Sequence, residues 1–151
     1  MDFLALATKY LVSDLQGKYI HSDVIAPILH SFNDDFETKV IRGEACLRAA
    51  AQLAHQGYTP DLICAHPGWG EPLFLKELWP HTTQLHYLEF YYRSTGQDVG
   101  FDQEFGNPTL TTQARLVAKN ANNLLNLSQM DAGICPTQWQ LSTLPSEYQA
   151  K

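Results

Sequence analysis

The sequence predicts an α/β protein, a Rossmann-like three-layer arrangement in which helices flank a parallel sheet. Three observations carry this expectation. Apolar or small residues recur at alternating steps of four and three from Phe36 to Ala54 and again from Leu110 to Ser128, which is the spacing of one helical face. Short apolar runs at Leu62–Ala65, Gln84–Tyr92 and Asp131–Cys135 lie between or after those helices, as strands would. The run from Asp61 to Lys76 leaves its strand through Pro67, Gly68, Trp69 and Gly70 and begins a new apolar pattern at Glu71. In open α/β sheets such a junction, at the carboxyl end of a strand, is where ligands bind.

In chain order, the first element is a helix lined by Phe3, Leu4, Leu6, Tyr10, Leu11 and Leu15, ending near Gly17. An irregular stretch follows, because Pro27 breaks the apolar cluster Val24–Leu29. Asn33 or Asp34 can cap the next helix, and Asp35 and Glu37 suit its positive end. Phe36, Val40, Gly43, Leu47, Ala50 and Ala54 form its inner face, Glu44 and Arg48 pair outside, and Gly57 stops it. After the strand at Leu62–Ala65, a short helix runs from Glu71 to about Leu78 and ends before Pro80. The second strand, Gln84–Tyr92, leads into a long loop, Arg93–Pro108, of the kind that serves as a lid or binding segment. Leu110, Ala114, Val117, Ala121, Leu124 and Ser128 again follow the four–three rhythm of a helix. Asp131–Cys135 is a third strand, and Thr137 caps a last helix carrying Trp139 and Leu141. Right-handed crossovers connect strands in this order. Three strands are few for a free-standing sheet, whose edges would be open.

The 151 residues suit one domain with a core, and 44% hydrophobic content is that of a globular chain. A net charge of −6 without a basic cluster argues against nucleic acid as partner. No apolar run reaches the roughly 20 residues of a membrane-spanning helix, and the opening residues lack the cationic start of a signal peptide, so a cytoplasmic location is expected. Cys46, Cys64 and Cys135 are odd in number and far apart, and read as buried, reduced side chains. No two histidines stand at metal-ligand spacing, so no metal site is expected.

Two sets of motifs carry a family resemblance. Asp34-Asp35-Phe36-Glu37, Arg42-Gly43-Glu44-Ala45 and Pro60-Asp61 through His66-Pro67-Gly68-Trp69-Gly70-Glu71 form the first. Leu88-Glu89-Phe90-Tyr91-Tyr92-Arg93, Asp98–Asp102 and Pro136-Thr137-Gln138-Trp139-Gln140 form the second. Together they resemble the N-terminal domain of bacterial family 4 glycosyltransferases, over roughly His30 to Ser146. The resemblance implies half of a GT-B fold, in which two Rossmann-like domains face each other across a cleft. It implies that the N-terminal domain receives the acceptor, that a C-terminal domain holds the nucleotide-sugar donor, and that no divalent metal is required. Residues 1–29 do not resemble the family's opening strand and glycine loop, and so read as a divergent segment before a domain at 30–151. The donor domain is absent from these residues, so this chain alone is expected to be inactive and to hold no cofactor. Its expected partners are an acceptor and a separate donor-domain chain.

The expected cleft wall comprises His66, Gly68, Trp69, Gly70, Glu71, Glu89, Tyr91, Tyr92 and Arg93, with no residue assigned to catalysis. His66 can donate to a transferred sugar or its phosphate, or simply fix its own loop. Gly68 and Gly70 can let a ligand approach the backbone, or only make the turn. Glu71 suits a sugar hydroxyl. Trp69 can stack on a sugar or pack inward. Glu89, a carboxylate ending an apolar strand, needs a partner, for which Arg93, His86 and His66 are candidates; it can orient an acceptor hydroxyl or form a structural ion pair. Tyr91 and Tyr92 can line the groove or enter the core. Two other readings stand beside this one. The chain can be a non-catalytic half-domain that binds another protein, or an unrelated flavodoxin-like enzyme using His66 and Glu89 as an acid–base pair.

Overall fold

A computed structural model describes residues 33–151 apart from 95, 98, 103 and 105. The helix and irregular stretch expected within residues 1–30 lie outside the described residues. Those described form helix α1 (Asp34–His55), strand β1 (Leu62–Ala65), 3-10 turns at Pro67–Trp69 and Glu71–Phe74, and a one-turn helix α2 (Leu75–Leu78). Strand β2 (Thr83–Tyr87), helix α3 (Leu110–Gln129), strand β3 (Ala132–Ile134), helix α4 (Gln138–Thr143) and a 3-10 turn at Ser146–Tyr148 follow. The three strands pair in parallel in the order β1-β2-β3. This is the parallel sheet flanked by helices of an incomplete Rossmann-like half-domain.

Strand order decides where the helices go. When neighbouring parallel strands follow one another in sequence, right-handed crossovers deliver every connection to the same face. Ile63, Gln84 and His86 point to that face and are buried. Cys46 and Ala50 of α1 meet Ile63, Leu75 and Trp79 there, while Leu127 of α3 and Met130 just past its end meet Leu88 and Leu144. On the opposite face Leu62, Tyr87 and Ile134 remain 43–50% exposed. Cys64 is exposed on that face too and Cys135 is only half-buried, so of the three cysteines Cys46 alone is a core residue. Burial, aided by the nearby Glu71 carboxylate, pushes the Cys46 thiol up to about 11, so it is inert as a nucleophile.

Several boundaries differ from the sequence reading. β2 ends at Tyr87 rather than Tyr92: Leu88 N–H still bonds the Ile134 carbonyl at 2.8 Å, but Tyr92 N–H turns to the Asn120 side chain. Asn33 precedes α1 but makes no side-chain cap bond. Gly57, at φ +83°, turns the chain out of α1 as expected. Thr137 caps α4 by accepting from Gln140 N–H at 3.2 Å. Below the sheet, Asp131 locks the start of β2 by accepting from Gln84 N–H at 2.8 Å and from Lys76 Nζ at 2.6 Å.

The largest departure is in α3. Leu110, Val117 and Leu124, apolar residues of its four–three rhythm, are 82%, 70% and 40% exposed. The buried side of the helix holds Asn120, Asn122, Asn123 and Asn126 instead. The rhythm locates the helix, and the face it marks is the exposed one.

Candidate functional site at the carboxyl end of β1 and β2

The segments leaving β1 and β2 open onto a cavity of about 270 Å³, walled from the sides by α1 and α3. His66 is the first residue past β1, and Glu89 is the second past β2. His66 Nε2 lies 3.0 Å from Glu89 Oε2, so of the three partners considered for Glu89 it is His66 that meets it. Glu89 is 52% exposed in its side chain, so the site does not bury its charge. With Nε2–H donated to the carboxylate, Nδ1 is left as the acceptor nitrogen, and it is buried without a partner among the described residues. Trp69 stacks on the imidazole with ring centres 4.9 Å apart, while half of its own surface faces solvent. The ring's orientation is therefore set from two sides, by a carboxylate and by an indole.

The glycines of the loop make room for protein. A side chain at Gly70 would stand 2.4 Å from the Lys39 carbonyl oxygen, and the residue sits at φ +97°. Across the same contact, a side chain at Gly43 would stand 2.8 Å from the Gly70 carbonyl oxygen. Two missing side chains thus let α1 touch the loop backbone to backbone. At Gly68 an added carbon would meet the His66 ring at 2.9 Å, so this glycine seats the imidazole.

The asparagines of α3 hold both loops. Asn122 Nδ2 donates to the Pro67 carbonyl at 2.8 Å, with Asn126 Nδ2 at 3.4 Å. Asn123 Nδ2 donates to the Phe90 carbonyl at 3.3 Å. Asn120 pairs with the backbone of Tyr92 in both directions, accepting from its N–H at 3.0 Å and donating to its carbonyl at 2.7 Å. Loop backbone groups that no strand can satisfy are bonded by side-chain amides. One helix thereby fixes the position of the chain just past His66 and just past Glu89.

Of the nine residues expected in the wall, His66, Gly68, Trp69, Glu89 and Tyr92 line the cavity. Gly70, Glu71, Tyr91 and Arg93 do not. Gly70 is buried against α1, and Glu71 is paired with Arg42 of α1 at 3.7 Å. Tyr91 packs beside the α3–α4 core, where burial raises its hydroxyl pKa. Arg93 donates to the Thr143 carbonyl at 3.0 Å and lies over the Tyr91 ring. Lys39 and Asp35 from α1, and Lys119 and Asn123 from α3, also line the cavity, and sequence reasoning missed them. A helix presents polar residues all along its outer side, so nothing local singles out those that turn toward a loop distant in sequence. Among the described residues, no three His, Cys, Asp or Glu side chains are grouped as a metal site, and no helix is long and apolar enough to cross a membrane.

Comparison with curated proteins and with solved structures returned no match. The model of one family, described as the glycosyl transferase family 4 group, matches residues 15–151. With nearly the whole chain so matched, and with a built cavity at the strand ends, this protein belongs to the glycosyl transferase family 4 group.

Proposed function

We propose that the cavity is the acceptor side of a glycosyl-transfer site, one wall of a GT-B cleft whose other wall holds a nucleotide-sugar donor. The observation that carries this reading is the His66–Glu89 pair, held at 3.0 Å and stacked on a half-exposed Trp69, at the strand ends of a glycosyltransferase family chain. Glu89 keeps one carboxylate oxygen free of His66, and that oxygen accepts the hydrogen bond of an acceptor hydroxyl and orients it for attack. His66 positions the carboxylate through Nε2–H. Trp69 offers an exposed aromatic face on which a sugar ring can lie.

The cavity's size supports a division of labour between two walls. At about 270 Å³ it falls below the roughly 300–1,000 Å³ typical of sites for drug-sized ligands, too little for acceptor and nucleotide sugar together. On this reading the cavity takes the acceptor alone and does not bind a nucleotide-sugar donor tightly. Calorimetry with UDP- and GDP-sugars tests this directly. Binding weaker than millimolar is expected, and micromolar binding to this chain alone would overturn the reading.

A second reading has one observation in its favour, the sheet face that no described helix covers, with Leu62, Tyr87 and Ile134 exposed. A half-domain acting only through protein contacts would use that face. Light scattering at micromolar concentration separates the two, since a monomer that binds sugars in the cavity does not need the second reading.

A further inference from the structure

We infer that the acceptor is anionic: a hydroxylated, sugar-like molecule bearing a phosphate or carboxylate group that Lys39 and Lys119 hold. This rests on the acceptor-side reading above and adds the chemical class of the acceptor. The two lysines come from different helices and line the same cavity, in a chain whose net charge is −6. Lys39 has a side chain only 18% exposed, and the Asp35 carboxylate is 3.7 Å away, a loose pairing at a residue that is itself 44% exposed. The Lys119 ammonium lies 4.2 Å above the centre of the Tyr92 ring, and among the described residues no carboxylate is within ion-pair distance of it. The remaining carboxylate of the lining, Glu89, faces His66 through one oxygen, and neither lysine is paired with it.

The wall thus carries one ammonium with a loose partner and one with none, beside aromatic surfaces that weaken screening. Two ammoniums on one concave, partly apolar wall, one loosely paired and one unpaired among the described residues, attract an anionic group. The ring face accounts for part of Lys119's environment but does not neutralise it. A ligand whose anionic group reaches the two ammoniums while its hydroxyl-bearing ring lies on Trp69 satisfies both ends of the cavity. Lysine suits such a group as a point charge, without the fixed geometry of a guanidinium.

The test is an NMR titration of the Trp69 indole and His66 ring signals at fixed ionic strength with glucose, glucose 6-phosphate, glucuronate and inorganic phosphate. Glucose 6-phosphate or glucuronate should bind about tenfold more tightly than glucose, the contribution of one charge-assisted hydrogen bond. Whichever of the two binds more tightly identifies the anionic group. Lys39→Met and Lys119→Met should each remove most of that preference, and Lys119→Arg should restore it, which a merely structural role would not produce. Equal binding of glucose and the charged sugars, unchanged in the lysine variants, overturns the inference and leaves the acceptor reading standing. Inorganic phosphate binding as well as glucose 6-phosphate without moving Trp69 overturns it as well. If none of the sugars moves Trp69 or His66, the acceptor reading fails and takes this inference with it.

Discussion

Helices α1 and α3 are of similar length, 22 and 20 residues, and both lie on the same face of the sheet, yet they are buried by opposite chemistry. α1 turns Gly43, Cys46 and Ala50 inward and packs on Ile63, Leu75 and Trp79. α3 turns four asparagines inward and leaves Leu110, Val117 and Leu124 in solvent. The difference lies in what each helix faces. Beneath α1 are apolar side chains and the backbone of Gly70, and small groups on the helix allow close approach to both. Beneath α3 are the loops at Pro67, Phe90 and Tyr92, whose carbonyl and N–H groups have no strand partner and require amides. A helix that covers a site is selected for what it bonds, and its buried face can be the polar one.

The sharpest way to break this comparison is at Gly70, where α1 touches the loop. Gly70→Ala adds a carbon 2.4 Å from the Lys39 carbonyl at a positive φ, and should destabilise by at least about 3 kcal/mol in denaturant unfolding. A loss below 1 kcal/mol would mean that the loop can back away from α1. The buried polar layer between β2 and the helices is tested by pH. His86 is fully buried and bonded to Gln84 Oε1 at 3.1 Å, and burial, its largest influence, lowers its pKa from 6.5 to about 4. The unfolded chain binds a proton there that the folded chain refuses. Stability is therefore full above pH 6.5 and declines as the pH falls toward 4, by on the order of 3 kcal/mol. Unfolding midpoints measured across that range should slope in wild type and flatten in His86→Gln. Asp131, held below the usual carboxylate range mainly by its bond from Lys76, loses its contribution lower still.

The asparagine ladder is tested by Asn122→Leu, which leaves the Pro67 carbonyl with weaker partners. A loss of about 1–3 kcal/mol is expected, together with a shift of the Trp69 indole NMR signal, because the turn that seats it loosens. The smallest expected effect sharpens the contrast from the other side. Val117→Gln, on the apolar but exposed stripe of α3, should change stability by less than about 0.5 kcal/mol. A large loss there would show that the stripe is covered in solution.

Much of this architecture was legible in the residues. Leu62–Ala65 is apolar and bounded by turn formers, and it is β1 without adjustment. The steps of four and three located α1 and α3 almost to their ends, since helix period is a local property. β2 was read five residues too long because Leu88, Phe90, Tyr91 and Tyr92 are apolar or aromatic, although they pack as loop rather than strand. The site was half legible. His66, Trp69 and Glu89 stand at strand ends where ligands gather, and they do come together. Glu71 and Arg93 looked equally chemical in sequence, but Arg42 and the Thr143 carbonyl engage them outside the cavity.

By itself, then, the sequence determined the succession of helices and parallel strands and the loops that carry the chemistry, because period, turn residues and caps act between near neighbours. Only the tertiary structure decided which face of α3 is buried, which cavity receives Lys39 and Lys119, and that His66 meets Glu89 across 23 residues of chain. Those choices depend on which unpaired backbone groups and charges lie opposite. Long-range packing brings them there, and no local pattern records it.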